Sequence, residues 1–162
     1  MEAYKQVYKK LEELNIEYEV VNHPPATTME EADLFIEGKE GVRTKSLFLC
    51  NHKKTEFYLI IMDENKRLNI KNLNKLLNQK NIHFASIEIL EEKMGLKPGI
   101  VSLFGIINNK DHDIKIYIDE EILSENIITF TANDNTKTIF ITKENMFRFI
   151  SLMGYNYTTL VL

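Results

Sequence analysis

A mixed, strongly curved central sheet flanked by helices, an α/β arrangement of the α+β kind, is the architecture the sequence predicts. Strand patterns outnumber helix patterns along the chain. Most are joined by short loops, whereas a doubly wound parallel sheet needs a crossover helix between successive strands. The runs Ser46-Leu47-Phe48-Leu49-Cys50 and Phe57-Tyr58-Leu59-Ile60-Ile61-Met62 are apolar almost throughout. Such runs need cover on both faces and read as central strands.

Tyr4, Val7, Tyr8, Leu11 and Leu14 recur at helical spacing and predict a first helix ending near Asn15. Tyr18 to Val21 reads as a strand, closed by His23-Pro24-Pro25, where two prolines cannot donate to a ladder. Thr28 and Glu31 form a capping-box pattern ahead of a short helix whose apolar side is Met29, Ala32, Phe35 and Ile36. Gly38 and Gly41 bracket a loop. Asn51 to Thr55 joins the two apolar runs as a hairpin. Ile70, Leu73, Leu76 and Leu77 mark a helix, and His83-Phe84-Ala85 a short strand. Ser86 caps a helix that turns Ile87, Leu90 and Met94 inward, with Gly95 at the position after its end.

Val101 to Ile107 and Ile114 to Ile118 read as strands, followed by a brief helical turn from Asp119 to Leu123. Ile127 to Phe130 and Thr138 to Ile141 are strands around the polar loop Thr131 to Thr136. Thr142 caps a last helix with Met146, Phe147, Ile150 and Met153 inward, and Tyr157 to Leu162 reads as a final strand.

The 162 residues suit one domain, 1–162, with 44% hydrophobic and 27% charged residues, the balance of a soluble globular protein. No apolar run approaches the ~20 residues of a membrane helix. The charged amphipathic N-terminus is unlike a signal peptide, so a cytoplasmic location is expected. The one cysteine, Cys50, excludes an internal disulfide framework and reads as core. A net charge of −4 argues against indiscriminate nucleic-acid coating. Residues 1–40 nevertheless carry four Lys/Arg against ten Asp/Glu, whereas residues 66–97 carry seven against three. The basic stretch is either an ordinary solvated face or a modest patch for a phosphate backbone.

The stretch Met94 to Gly105 holds three of the six glycines and one of the three prolines. Pro98-Gly99 suits the centre of a type II turn, proline presetting φ and glycine accepting the positive φ that follows. Such a turn either stops a helix and leads into a strand, or offers outward N–H groups to a carbonyl or phosphate oxygen. Lys45 opens the first apolar run; its ammonium either snorkels at a strand end or points into a pocket. Neither a nucleophilic triad nor a metal-binding spacing accompanies them. Of four scattered histidines, His23, His52, His83 and His112, only His23 beside its prolines is placed to line a cleft.

Three segments in order, Gly41-Val42-Arg43-Thr44-Lys45-Ser46-Leu47-Phe48-Leu49, Gly95-Leu96-Lys97-Pro98-Gly99-Ile100-Val101-Ser102-Leu103-Phe104-Gly105 and Asn133-Asp134-Asn135-Thr136-Lys137-Thr138, resemble the YbaK/prolyl-tRNA-editing superfamily. Nearly the whole chain takes part. Within the superfamily it is most similar to the freestanding ProX-type deacylases that clear alanine from mischarged tRNA(Pro).

The resemblance implies a YbaK-like sheet with an aminoacyl-ester pocket between the lysine strand and the glycine-proline loop. It implies a hydrolase without metal or other cofactor, in which the terminal ribose hydroxyl of the substrate helps to activate water. Lys45, Gly99 and Ser102 are the expected catalytic positions. Lys45 would engage the carbonyl or phosphate end, and N–H groups from Gly99 to Ser102 would face the developing oxyanion. Val20, Met29, Ser46, Pro98, Ile100, Val101, Gly105, Thr131, Asn133 and Asn135 are the expected substrate-binding positions. The partner implied is mischarged tRNA(Pro), with prolyl-tRNA synthetase or an elongation factor beside it, and neither membrane nor DNA.

Two positions depart from the pattern. Thr131 stands where many relatives have histidine, and a hydroxyl cannot exchange a proton near neutral pH as imidazole does. Ser46 stands where several have asparagine. The alternatives are a Cys-tRNA(Pro) deacylase of the same superfamily and a non-catalytic adaptor that binds tRNA or a synthetase.

Overall fold

The computed structural model describes all residues from Met1 to Leu162. In chain order they form α1 (Ala3–Glu13), β1 (Glu19–Asn22), α2 (Met29–Phe35), β2 (Val42–Cys50), β3 (Phe57–Asp63), α3 (Ile70–Leu76), β4 (His83–Phe84) and α4 (Ile87–Met94). A 3-10 turn (Leu103–Asn108), β5 (Ile114–Asp119), a second 3-10 turn (Glu120–Ser124), β6 (Ile127–Thr131), β7 (Lys137–Thr142), α5 (Lys143–Leu152) and β8 (Tyr157–Leu160) follow. The capping residues act as their types dictate. Thr28, Ser86 and Thr142 each accept, through the side-chain oxygen, the N–H three residues on.

The sheet is mixed, as expected. Its order is β1-β7-β6-β2-β3-β5-β8, with β4 also paired to β2. The β2–β3 hairpin is antiparallel over seven residue pairs from Thr44–Asp63 to Cys50–Phe57. The other edge of β2 meets β6 in parallel at Val42 and Arg43 and β4 at Leu49 and Cys50. Between those contacts, from Thr44 to Leu47, that edge has no strand beside it. Main-chain groups along a strand point alternately to its two edges. The alternation that turns the Phe48 carbonyl to the Ala85 N–H turns the Ser46 backbone toward the same open gap.

Both faces of the hairpin are covered, the arrangement its apolar runs require. One face, with Phe48, Cys50, Phe57, Leu59 and Ile61, joins the larger core with α1, α4 and α5. The other, with Leu49, Tyr58, Ile60 and Met62, packs on Leu73 of α3 and on Ile82. Cys50 is fully buried, and burial raises its thiol pKa, as suits a core residue.

One expected strand is absent. Residues Val101 to Ile107 do not extend; from Leu103 they coil into the first 3-10 turn. Two contacts explain it. The buried Ser102 hydroxyl accepts the Phe104 N–H at 3.0 Å, a local bond that competes with a ladder. Gly105 lies so close to α4 that a Cβ there would collide with the Met94 side chain and come within 2.9 Å of Leu96 Cδ1. The apolar pattern of this run therefore serves a coiled segment pressed against α4.

Charge in the basic stretch is partly compensated locally. Lys93 Nζ lies 3.0 Å from Asp111 and 2.6 Å from Asp113. Lys66 Nζ bridges Glu121 at 3.0 Å and Asp119 at 2.9 Å, and Asp119 is only 1% exposed. Removing the lysine would leave a buried carboxylate without its cation, which is far more costly than losing a surface pair. Lys66→Met is therefore expected to destabilise the fold by about 2 kcal/mol in urea unfolding. Asp119→Asn with Lys66→Met should recover much of that loss.

Candidate active site

A cavity of about 520 Å³ opens where β2 has no neighbouring strand. Thr44 to Phe48 of β2 form one wall, α2 and the segment from His23 to Thr28 a second, and Pro98, Gly99 and Val101 a third. The ends of β6 and β7 and the loop between them complete it.

The local chemistry of each wall follows from the sequence. Lys97 to Ile100 form a turn closed by the Ile100 N–H donating to the Lys97 carbonyl at 3.3 Å, with Gly99 at φ +90°, the type II geometry expected of Pro-Gly. That bond occupies the Ile100 N–H, and Ser102 does not reach the cavity, so the N–H groups of Gly99 and Val101, which donate to no protein acceptor, are the ones left for a ligand. Lys45 is half-buried and takes part in none of the ion pairs.

The loop from Asn133 to Thr136 is held to the proline segment. The Ala26 N–H donates to the Asn135 carbonyl, Asn135 Nδ2 donates to the Ala26 carbonyl, and the His23 N–H donates to the Thr136 carbonyl. His23 Nδ1 donates to the Pro24 carbonyl at 2.9 Å, and its Nε2 pairs with the Thr138 hydroxyl at 3.0 Å. Its ring stacks on Phe35 with centroids 5.3 Å apart.

Of the expected site residues, Lys45, Gly99, Met29, Ser46, Pro98, Val101, Thr131 and Asn135 line this one cavity. Val20, Ile100, Ser102, Gly105 and Asn133 do not. Val20 packs against the main core from β1. Ser102 and Gly105 are buried in the coiled segment that follows the turn. Asn133 is buried at φ +59°, and its Oδ1 has no hydrogen-bond partner. The Thr131 hydroxyl, at the position of the expected histidine, is also buried without a partner, though its residue reaches the cavity.

Several lining residues escaped sequence reasoning. Phe84, 52% exposed, stands at the cavity from β4. Asp33 and Glu64 form a hydrogen-bonded carboxyl pair in the cavity wall. Burial, then the hydrogen bond and charge of Asp33, push the Glu64 carboxyl up to about 8, against a smaller opposing pull from Arg43. The Arg43 guanidinium itself donates to the carbonyls of Gly41, Ile36 and Lys39. A signal for Asp33 was present: Met29, Ala32, Asp33 and Ile36 have the i, i+3, i+4, i+7 spacing of a buried stripe, with a carboxylate in one place. Glu64 gives none, since it follows a strand buried on both faces. No group of three His, Cys, Asp or Glu side chains is placed to hold a metal ion. No helix is long and apolar enough to cross a membrane.

The model of a family described as the aminoacyl-tRNA editing domain matches residues 23–149. The prolyl-tRNA editing protein ProX of Acetoanaerobium sticklandii is 28% identical over 163 residues, covering 100% of this chain and 99% of that protein. The prolyl-tRNA synthetase associated domain-containing protein 1 of Mus musculus is 26% identical over 159 residues, covering 96% and 94%. A solved structure described as a candidate trans-editing enzyme for prolyl tRNA synthetase superposes with a TM-score of 0.77 at 21% identity, covering 99% of this chain and 97% of that one.

Proposed function

The chain belongs to the aminoacyl-tRNA editing domain family, and from that premise we propose that it is a trans-editing deacylase that hydrolyses the ester of mischarged Ala-tRNA(Pro). The observation that carries this reading is the meeting, in one cavity, of an unpaired lysine, an open stretch of strand edge and a turn with free N–H groups. An aminoacyl ester is already activated. Its hydrolysis asks for a fixed carbonyl, a placed water and stabilisation of the charge that grows on the carbonyl oxygen, more than for a strong nucleophile.

In this scheme Lys45 holds the carbonyl or phosphate end of the substrate. The Gly99 and Val101 N–H groups, in place of the wider Gly99-to-Ser102 set, face the developing oxyanion. The terminal ribose hydroxyl orients water, and no cofactor takes part. Size selects the substrate, because alanine enters where the larger proline is excluded. Mischarged tRNA(Pro) is the partner in either deacylase reading. The names of the ProX and synthetase-associated relatives favour a role beside prolyl-tRNA synthetase.

The test is hydrolysis of Ala-, Cys- and Pro-tRNA(Pro) by the purified chain. Ala-tRNA(Pro) is expected to be deacylated at least about tenfold faster than Pro-tRNA(Pro), the scale of discrimination a small steric pocket gives. Preference for the cysteinyl ester would assign the chain to Cys-tRNA(Pro) editing. No turnover of any of the three would leave a tRNA- or synthetase-binding adaptor.

A further inference from the structure

The Asp33–Glu64 pair has no cation of its own. Arg43, the positive group acting on Glu64, gives its hydrogen bonds to three main-chain carbonyls. Asp63, the other charge acting on Glu64, is a further carboxylate and accepts the Asn65 N–H. Lys45 reaches the same cavity yet bridges to neither carboxyl. Two acidic groups held in contact in a partly buried wall, with no lysine or arginine bridging them, cost stability unless they share a proton or meet a cation. Asp33 comes from α2 and Glu64 from the end of β3, so the pair forms only where those elements meet at the cavity. The same cavity holds a buried Thr131 hydroxyl with no partner.

We propose that Asp33 and Glu64 recognise the α-ammonium of the aminoacyl ester, making them specificity-determining residues of the site. This rests on the reading of the cavity as an aminoacyl-ester pocket. An aminoacyl ester is dipolar at its reacting end, with an ammonium on the carbon next to the carbonyl. The cavity is dipolar too, with Lys45 and free N–H groups for the oxygen and the Asp33–Glu64 pair for the cation, while its other charged residues, Asp134 and Lys137, are hydrogen-bonded to Thr136. When the ammonium arrives, the Glu64 carboxyl gives its proton to solvent and accepts from the substrate beside Asp33. Charge-assisted bonds of this kind are among the strongest a site can make. The pocket thereby distinguishes a charged aminoacyl end from any neutral ester of similar shape.

The experiment compares alanyl-tRNA(Pro) with lactyl-tRNA(Pro), in which a hydroxyl replaces the ammonium with little change of shape. Each rate is divided by the spontaneous hydrolysis of that ester. The wild-type chain is expected to prefer the alanyl ester by about tenfold or more. Glu64→Gln and Asp33→Asn should each reduce that preference to under about threefold, by slowing the alanyl reaction and sparing the lactyl one. A preference unchanged in both variants, or both esters slowed together, would overturn the inference and leave the pair as a clasp between α2 and β3. Absence of alanyl hydrolysis by the wild-type chain would instead overturn the deacylase reading, and this inference with it.

Discussion

Lys45→Ala is expected to slow deacylation of Ala-tRNA(Pro) by about a hundredfold or more, the usual cost of deleting one preorganised electrostatic contact to a developing charge. The stability of the fold should change by about 1 kcal/mol or less, because the lysine forms no ion pair whose partner would be stranded. The separation of these two effects is the informative part. A lysine that merely snorkelled at a strand end would give a small change in both. Lys45→Arg is expected to rescue only partly, since a planar fork presents its donors differently from a compact ammonium. Single-turnover rates beside thermal unfolding decide the matter; near-wild-type rates for Lys45→Ala would remove the residue from the mechanism.

Phe104→Ala should cost about 3–5 kcal/mol of stability, the range for truncating a fully buried aromatic side chain. Phe104 is 0% exposed and meets the rings of Phe130 and Phe149 edge-on, at centroid distances of 5.6 and 5.1 Å. It links the coiled segment after the Pro98–Gly99 turn to β6 and α5, and its neighbour Phe130 lines the cavity, so the void would open one side chain away from it. A fall of about 10 °C in the unfolding midpoint is expected for a chain of this size. Phe104→Leu should lose clearly less, having kept most of the volume. A midpoint unmoved by Phe104→Ala would mean that the segment packs differently from the arrangement described.

Periodicity and capping chemistry made most of the fold legible. The Thr28, Ser86 and Thr142 caps, the Asn51–Thr55 hairpin and the two-sided burial of β2 and β3 all follow from local residue types. The run from Val101 to Ile107 misled because alternation and apolarity describe a buried strand and a buried coil equally well. Packing of Gly105 against Met94 and Leu96 decided between them, and that contact joins separate elements. The cavity was legible to the extent that its residues lie in marked segments, around Lys45, Pro98-Gly99 and Asn135. Phe84 and Glu64 were not, because the first stands on a two-residue strand and the second is significant only through Asp33, thirty-one positions away. Which N–H groups remain for a ligand also depends on turn hydrogen bonding, which no residue type announces.

The open stretch of β2 has a consequence for how such a protein can change over time. A side chain is replaced whenever its codon is, but the amide and carbonyl at Ser46 persist through any substitution except proline, which removes the donor alone. A pocket that presents bare peptide groups to its ligand therefore keeps part of its recognition surface while the residues around it drift. Serine in place of asparagine at position 46 alters what projects from the strand and leaves those groups facing the gap. Inheritance of the interaction then depends on keeping the gap itself, which β4 and β6 fix by pairing at its two ends and stopping short of its middle.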